Sequence, residues 1–108
     1  MLSLLRLKFA PGSELAAALN QTSDTFLLEH NERAGRDSTW SDDHDGSGTN
    51  WLGCQLMLVR DELRGTCQKP WTQFIVSSLD TDTGRPLQTA SPWQQAVRAA
   101  AFAANQMF

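Results

Sequence analysis

The sequence lacks the features that define several protein classes. It has only two cysteines, Cys54 and Cys67, so it does not match a disulfide scaffold. Because Cys54 lies inside a helical pattern, we expect two free thiols in a reducing compartment. No apolar run is long enough to cross a bilayer, since the apolar segment 1–9 is interrupted by Arg6 and Lys8. We therefore expect a cytoplasmic protein with no membrane partner.

The chain also lacks an excess of positive charge. Nine Lys and Arg residues against twelve Asp and Glu give a formal net charge of -3, which offers no general attraction to a nucleic-acid backbone or an anionic membrane. The first acidic residue is Glu14, so a mitochondrial targeting segment stays an alternative. No repeat or linker divides the 108 residues, and 41% of them are hydrophobic, which is enough for one small core.

Helical patterns dominate what is present. The longest begins at Thr49-Asn50, places apolar residues at spacings of four, three and four, and stops at Gly65, a typical helix terminator. Ser13 and Ser91 have side chains that cap helix starts, and a proline follows Ser91 where the first helical turn tolerates it. The sequence predicts helices over the ranges 1–9, 14–19, 50–64 and 92–107.

Two short apolar runs predict strands. Phe26-Leu27-Leu28 is consistent with a short buried strand or an extended segment that delivers Glu29 and His30 to its end, and Phe74-Ile75-Val76 suggests a strand within 72–79. The polar segments 31–39 and 80–89 are expected to be loops. The predicted fold class is α+β, predominantly α-helical, with one or two short strands. Core positions are expected at three tryptophans: Trp51, Trp71 and Trp93.

The segment 40–53 concentrates aspartates and glycines, a combination that usually serves a ligand. An EF-hand calcium loop does not fit, because its first position would be Ser41 and its twelfth Leu52. Metal binding by His44 with Asp42 and Asp45 would be unspecific, since zinc sites normally show a clearer pair of histidines or cysteines. We predict no metal and no cofactor.

The run Gly46-Ser47-Gly48-Thr49-Asn50 enters a helix and suits an anion, because amides at a helix start are unpaired and glycines allow close approach. The alternative is an ordinary loop with Asn50 as the N-cap. Asp42 and Asp45 could stabilise an oxocarbenium-like transition state or activate water, or could simply form turns.

The flanking side chains leave similar alternatives. Trp40 could stack on a base or a sugar, or it could anchor the core. Of the pair at the end of the first apolar run, Glu29 is the better candidate for chemistry, because a lone histidine such as His30 is more often structural.

One ordered pattern stands out over most of the first 64 residues. It comprises Leu28-Glu29-His30, Asp37, Trp40, Asp42, Asp45-Gly46-Ser47-Gly48, Asn50, Leu52-Gly53, Leu56-Met57, Val59-Arg60 and Glu62-Leu63. In order and spacing these residues resemble the C-terminal half of the NADAR family, the YbiA-like N-glycosidases. Leu5-Arg6-Leu7-Lys8-Phe9 is similar to the helix that precedes this region in the family. The predicted organisation is therefore a NADAR-like part over 1–64 and a divergent tail over 65–108 that packs on the same domain.

The resemblance implies hydrolysis of an N-glycosidic bond. In the family, ribose 5-phosphate is removed from early pyrimidine intermediates of riboflavin synthesis, or ADP-ribose from modified guanine. The expected partner is a small phosphorylated ribose compound or ADP-ribose, with nucleic acid bound only if it is ADP-ribosylated. Matched positions imply catalytic roles for Asp42, Asp45 and Glu29. The implied substrate-binding residues are Trp40, Gly46, Ser47, Gly48 and Asn50.

Two alternatives remain open, because the earlier half of the family domain has no counterpart in this sequence. One is a catalytically inactive module that binds ADP-ribose or another nucleotide sugar. The other is a chain that self-associates or needs a complementing chain to complete its fold.

Overall fold

A computed structural model describes residues 2–65, 70–87 and 91–107. Its helices, in chain order, are α1 (Leu2–Lys8), α2 (Glu14–Asn20), α3 (Trp51–Arg64), α4 (Pro70–Ser78) and α5 (Pro92–Gln106). Within those ranges, β-structure is limited to one isolated antiparallel bridge between Leu79 and Pro86. The predominantly helical class is confirmed, whereas the two strands are not found. An irregular segment of 30 residues, 21–50, joins α2 to α3.

Helix α3 is the centre of the fold, and it packs against α1, α2 and α4, while α4 also packs against α5. Its two sides belong to two apolar clusters. Cluster one joins α3 to α4, α5 and the residue after α4 through Trp51, Cys54, Met57, Leu58, Ile75, Leu79, Trp93 and Val97. Cluster two joins α3 to α1 and α2 through Leu5, Leu19 and Val59.

The predicted helix boundaries follow their local signals. The Ser13 hydroxyl accepts a hydrogen bond from the Ala16 amide at 3.1 Å, and Ser91 receives one from the Gln94 amide at 3.4 Å. Gly65 ends α3 in the left-handed conformation, with φ of 61°. Of the three tryptophans expected in the core, Trp51 and Trp93 are buried, and Trp71 is half-buried with its ring edge-on to Phe26.

The predicted strand within 72–79 is wrong, because that segment is helical up to Ser78, where α4 ends. Ile75 and Leu79 lie one helical turn apart and are both buried, whereas Val76 is 54% exposed. The start of α4 is stabilised from another helix. The Asp61 carboxylate on α3 accepts hydrogen bonds from the Thr72 amide at 2.8 Å and its hydroxyl at 2.7 Å. This tertiary cap outweighs the strand preference of the β-branched run.

At 26–28 the extended alternative holds and the strand does not, since this stretch is extended but pairs with no strand in the described part of the chain. A side chain takes the place of the missing partner. Asn50 accepts a hydrogen bond from the Glu29 amide at 2.9 Å and donates one to the Leu27 carbonyl at 2.9 Å. Gly53 lies directly beneath, where a Cβ would collide with the Leu27 carbonyl oxygen.

The interpretation of Asn50 as a side-chain cap of α3 is therefore corrected. Asn50 precedes α3 but makes no capping hydrogen bond with its side chain, and its backbone is left-handed with φ of 54°. Asparagine tolerates this conformation better than most residues. Both polar atoms of the Asn50 side chain instead bond to the backbone of the extended segment.

The two polar segments match their predictions, with turns and bends between 31 and 39 and again between 80 and 87. Residues 88–90 and Cys67, which also carried predictions, lie outside the described residues. Cys54 is a free, buried cysteine, and burial raises the pKa of its thiol to about 12. None of the helices in the described ranges is both long and apolar enough to cross a membrane.

Candidate functional site

Most aspartates of the 37–45 segment bind the backbone of their own loop. Asp37 accepts hydrogen bonds from the amides of Thr39 and Trp40, at 3.0 and 2.9 Å. Asp43 accepts from the amides of Arg36 and Asp37, at 3.0 and 3.2 Å. Such contacts between aspartates and nearby amides are typical of turns. The high aspartate content of this segment is therefore largely explained by how the loop folds.

Asp42 differs from these aspartates because it is fully buried. Its Oδ1 accepts hydrogen bonds from the amides of Asn31 and His44, both at 2.8 Å. Its Oδ2 lies 2.6 Å from Nδ1 of His30. A buried carboxylate with these partners is not exposed to a substrate. The Asp42 carboxylate therefore has no direct access to solvent, but its partner His30 does, because the His30 side chain is 19% exposed.

A cavity of about 450 Å³, called here the two-histidine cavity, is lined by His30, Glu32, His44 and Asn105. Its volume falls within the range usual for small-molecule sites. The two imidazole rings lie side by side, with centroids 5.6 Å apart and planes inclined by 31°. Residues from the irregular segment form three walls, and the C-terminal end of α5 supplies the fourth.

The partners of the two histidines determine which ring nitrogen is available. Nδ1 of His44 lies 3.1 Å from the Asn31 carbonyl oxygen, which can only accept, so this nitrogen carries the proton. The same reasoning assigns the proton to Nδ1 of His30, because its partner is the Asp42 carboxylate. In the neutral form of each ring, Nε2 is then left with a lone pair.

The other predicted catalytic residues lie apart from this cavity. Asp45 is exposed, and its carboxylate accepts a hydrogen bond from the Ser47 amide at 2.9 Å. Hydrogen bonds from the side chain and backbone of Ser47 hold the pKa of Asp45 below its usual value, and nearby Arg98 adds to this effect. Glu29 is also exposed and borders a different, mostly apolar cavity of about 220 Å³. The Asp42 amide donates to the Glu29 carbonyl at 2.9 Å, but the carboxylates of Asp42, Asp45 and Glu29 do not line one cavity.

Trp40 and the glycines serve the packing of the loop. Trp40 is half-buried and packs against cluster one, as its core alternative anticipated. A Cβ on Gly48 would collide with the Ser41 carbonyl oxygen, and one on Gly46 would lie 2.5 Å from the Cα of Arg98. The space beside these glycines is therefore occupied by the chain itself. Ser47 is exposed at the surface between them.

The predicted anion seat at the start of α3 is not open. The amides that would receive a phosphate already donate to the carbonyls of the preceding loop: Asn50 to Ser41 at 3.0 Å, Trp51 to Thr39 at 2.9 Å and Leu52 to Trp40 at 3.2 Å. An anion there would have to replace these bonds, so the usual attraction of a helix start does not apply.

Sequence reasoning missed the cavity because its walls come from distant positions. The available signal was that the two histidines of the sequence, His30 and His44, lie on either side of Asp42. Glu32 and Asn105 gave no signal, since one is in a polar loop and the other at a helix end. Within the described residues, no group of three His, Cys, Asp or Glu side chains could hold a metal ion.

Comparisons with known proteins connect the chain to one group. A riboflavin biosynthesis protein of Vibrio vulnificus is 41% identical over 75 residues, which cover 69% of this chain and 20% of that protein. The N-glycosidase YbiA of Escherichia coli is 41% identical over 63 residues, covering 58% of this chain and 38% of that protein. The YbiA of Shigella boydii gives the same identity and coverage.

The match is confined to part of each relative, because the chain spans between about a fifth and two fifths of their length. No family model matches the chain, and no solved structure matches it. The resemblance found in the sequence is nevertheless confirmed: over more than half of its length, this chain is similar to curated YbiA N-glycosidases.

Proposed function

We propose that this chain hydrolyses the N-glycosidic bond of a phosphorylated ribose compound in the two-histidine cavity. The observation that carries the proposal is the His30–Asp42 pair, in which a buried carboxylate holds an imidazole at the wall of a cavity of ligand size. This arrangement is how general bases are oriented in many hydrolytic sites. The names of the relatives, N-glycosidase and riboflavin biosynthesis protein, support this reaction class.

In the proposed reaction, Nε2 of His30 accepts a proton from a water molecule as the water oxygen attacks the anomeric carbon of the ribose. The electron pair of the C–N bond leaves with the nitrogen of the substrate's heterocycle, which is then protonated by solvent. Asp42 keeps the His30 ring in the required tautomer and stabilises the imidazolium that forms. A general base of this kind typically contributes on the order of 10² to 10⁴ in rate.

The other walls supply binding and electrostatic groups. The Glu32 carboxylate would stabilise positive charge that develops on the ribose ring, a role that the sequence assigned to Asp42 or Asp45. Nε2 of His44 would accept a hydrogen bond from a ribose hydroxyl. Catalytic roles for Asp45 and Glu29 stay predictions, and so does binding by Trp40 and the glycine loop.

The test is to incubate the purified chain with pyrimidine ribotides and with ADP-ribosylated guanine nucleotides, and to measure release of ribose 5-phosphate or ADP-ribose. His30→Gln should lower kcat at least on the order of 10²-fold, because glutamine cannot take the proton. Asp42→Asn should lower kcat as well, through loss of the orienting carboxylate. Glu14→Gln, an exposed carboxylate in the first turn of α2, is the matched control.

Three other outcomes would change the assignment. If His30→Gln were as active as the parent, the cavity would not be the reaction site, and loss of activity in Asp45→Asn or Glu29→Gln would return catalysis to the residues favoured by the sequence. Binding of ADP-ribose by calorimetry without turnover would identify the inactive binding module. Stability that rises with protein concentration would instead show that the chain self-associates.

A further inference from the structure

Helix α5 holds the loop that carries His44 through three side chains. Gln94 donates from Nε2 to the carbonyls of Gly46 and Gly48, at 2.6 and 2.7 Å. Asn105 donates from Nδ2 to the His44 carbonyl at 2.9 Å, and Trp93 donates from Nε1 to the Thr49 carbonyl at 2.7 Å. Four carbonyls between positions 44 and 49 are thus bound by one helix.

The two amide side chains lie on one face of α5. Gln94 and Asn105 are eleven residues apart, which is about three helical turns and roughly 16 Å along the axis. Between them on that face lie Arg98, whose backbone contacts Gly46, and the fully buried Ala101. Both ends of this face, at Gln94 and at Asn105, therefore contact the loop.

The loop needs such support because part of its backbone is in an uncommon conformation. Asp43 and His44 both have positive φ, 53° and 78°, although neither is a glycine. Residues persist in this region only where surrounding contacts hold them. Asn105 bonds to the carbonyl of His44 itself, and its side chain also lines the two-histidine cavity.

We propose that α5 is the positioning element of the two-histidine cavity, with Gln94 and Asn105 as positioning residues that keep His44 beside His30. The catalytic consequence rests on the proposed function, but the geometric claim does not. This assignment gives α5 a part in the site, although the residue pattern that carries the family resemblance in the sequence ends at Leu63. Because His44 is proposed to bind a ribose hydroxyl, displacing its ring should weaken substrate binding by up to about tenfold.

The variants are chosen to remove donors without removing volume. Gln94→Met and Asn105→Leu keep the size of each side chain and lose its N–H groups, whereas Gln94→Lys keeps a donor. Gln95→Met is the matched control, because Gln95 is the exposed neighbour of Gln94 on the same helix. Circular dichroism and a thermal melt select a temperature at which every variant is folded.

The first measurement needs no substrate. The amides of Gly46 and Gly48 both donate to the Asp42 carbonyl at 3.0 Å, so their hydrogen-exchange rates measure how often the loop opens. The NMR signals of the His44 ring measure changes in its environment. Gln94→Met and Asn105→Leu should exchange these two amides at least about tenfold faster and shift the ring signals. Gln95→Met should match the parent, and Gln94→Lys should restore protection.

The second measurement separates positioning from general structural support. With an active parent, the two donor-removing variants should raise KM by up to about tenfold while kcat changes little, and Gln94→Lys should bring KM back toward the parent value. Unchanged exchange and ring signals in Gln94→Met and Asn105→Leu would overturn the proposal. An inactive parent would refute the proposed function alone, and positioning would then be decided by the exchange and ring data.

Discussion

The two sides of α3 are built in different ways. On the side of cluster one, Trp93, Ile75 and Met57 are fully buried, and the loop that bears the histidines packs over this core. On the side of cluster two, Leu5 and Leu19 each keep 6% of their surface exposed, and the leucines packed around them are half-buried. Cluster one is a buried core beneath the candidate site, whereas cluster two attaches the seven-residue helices α1 and α2 to α3.

The polar contacts on the side of cluster two are of two kinds, one buried and one exposed. The segment after α2 is tied to the second side by the buried Arg60, which donates to the Thr22 hydroxyl at 2.9 Å and to the Thr25 carbonyl at 2.7 Å. Arg6 and Glu62 form an ion pair there, but it is exposed to solvent. We therefore expect the stability of the chain and the geometry of its site to depend mainly on the first side.

The largest test of this comparison is Trp93→Ala against Leu5→Ala. Removing the buried indole should lower the free energy of unfolding by about 4 kcal/mol, whereas removing Leu5 from the looser side should cost about 2 kcal/mol. Urea denaturation measures both. Phe102→Ala, at a side chain that is 68% exposed, is the control and should change little. Equal losses at Trp93 and Leu5 would contradict the unequal roles of the two clusters.

A second test compares two aspartates three residues apart. Asp42→Ala would leave the partly buried amides of Asn31 and His44 without an acceptor and should cost about 3 kcal/mol. Asp45→Ala removes an exposed carboxylate and should leave the denaturation midpoint within experimental error of the parent. A large effect at Asp45 would restore the sequence-based view of that residue.

The third test concerns Asn50, where sequence and structure predict different results. If Asn50 capped α3, Asn50→Ser would be nearly neutral, since serine is an equally good cap. Because the side chain instead bridges Leu27 and Glu29, we expect Asn50→Ser to cost about 2 kcal/mol. Chemical denaturation distinguishes the two. As the control, Ser13→Asn exchanges good capping residues at a true N-cap and should be tolerated.

Helix boundaries could be predicted because their signals are local. The caps at Ser13 and Ser91, and the left-handed Gly65, act within a few residues of their own position. Helix α4 was missed because its start is fixed by Asp61, eleven residues before Thr72 in a different helix. Local preference alone favoured a strand there, and the tertiary contact decided otherwise.

The candidate site was less predictable for the same reason. Asp42 was recognised as important, but its partner His30 is twelve residues away, and nothing local shows that the two meet. Asn105 lies 61 residues from the carbonyl that it binds, beyond the reach of any pattern argument. The glycines were conspicuous for a reason that only packing reveals, since Gly46 gives room to the backbone of Arg98.

The smallest effect should appear only at high pH, at Cys54 in cluster one. Burial raises the pKa of this thiol from 9.0 to about 12, so the folded protein keeps it neutral. The unfolded chain begins to lose this proton near pH 9, and unfolding is therefore favoured progressively as pH rises from about 9 to about 12. Urea denaturation of the parent and of Cys54→Ala across this range isolates the contribution. The parent should lose stability more steeply, and parallel curves would show that water reaches the core beneath the histidines.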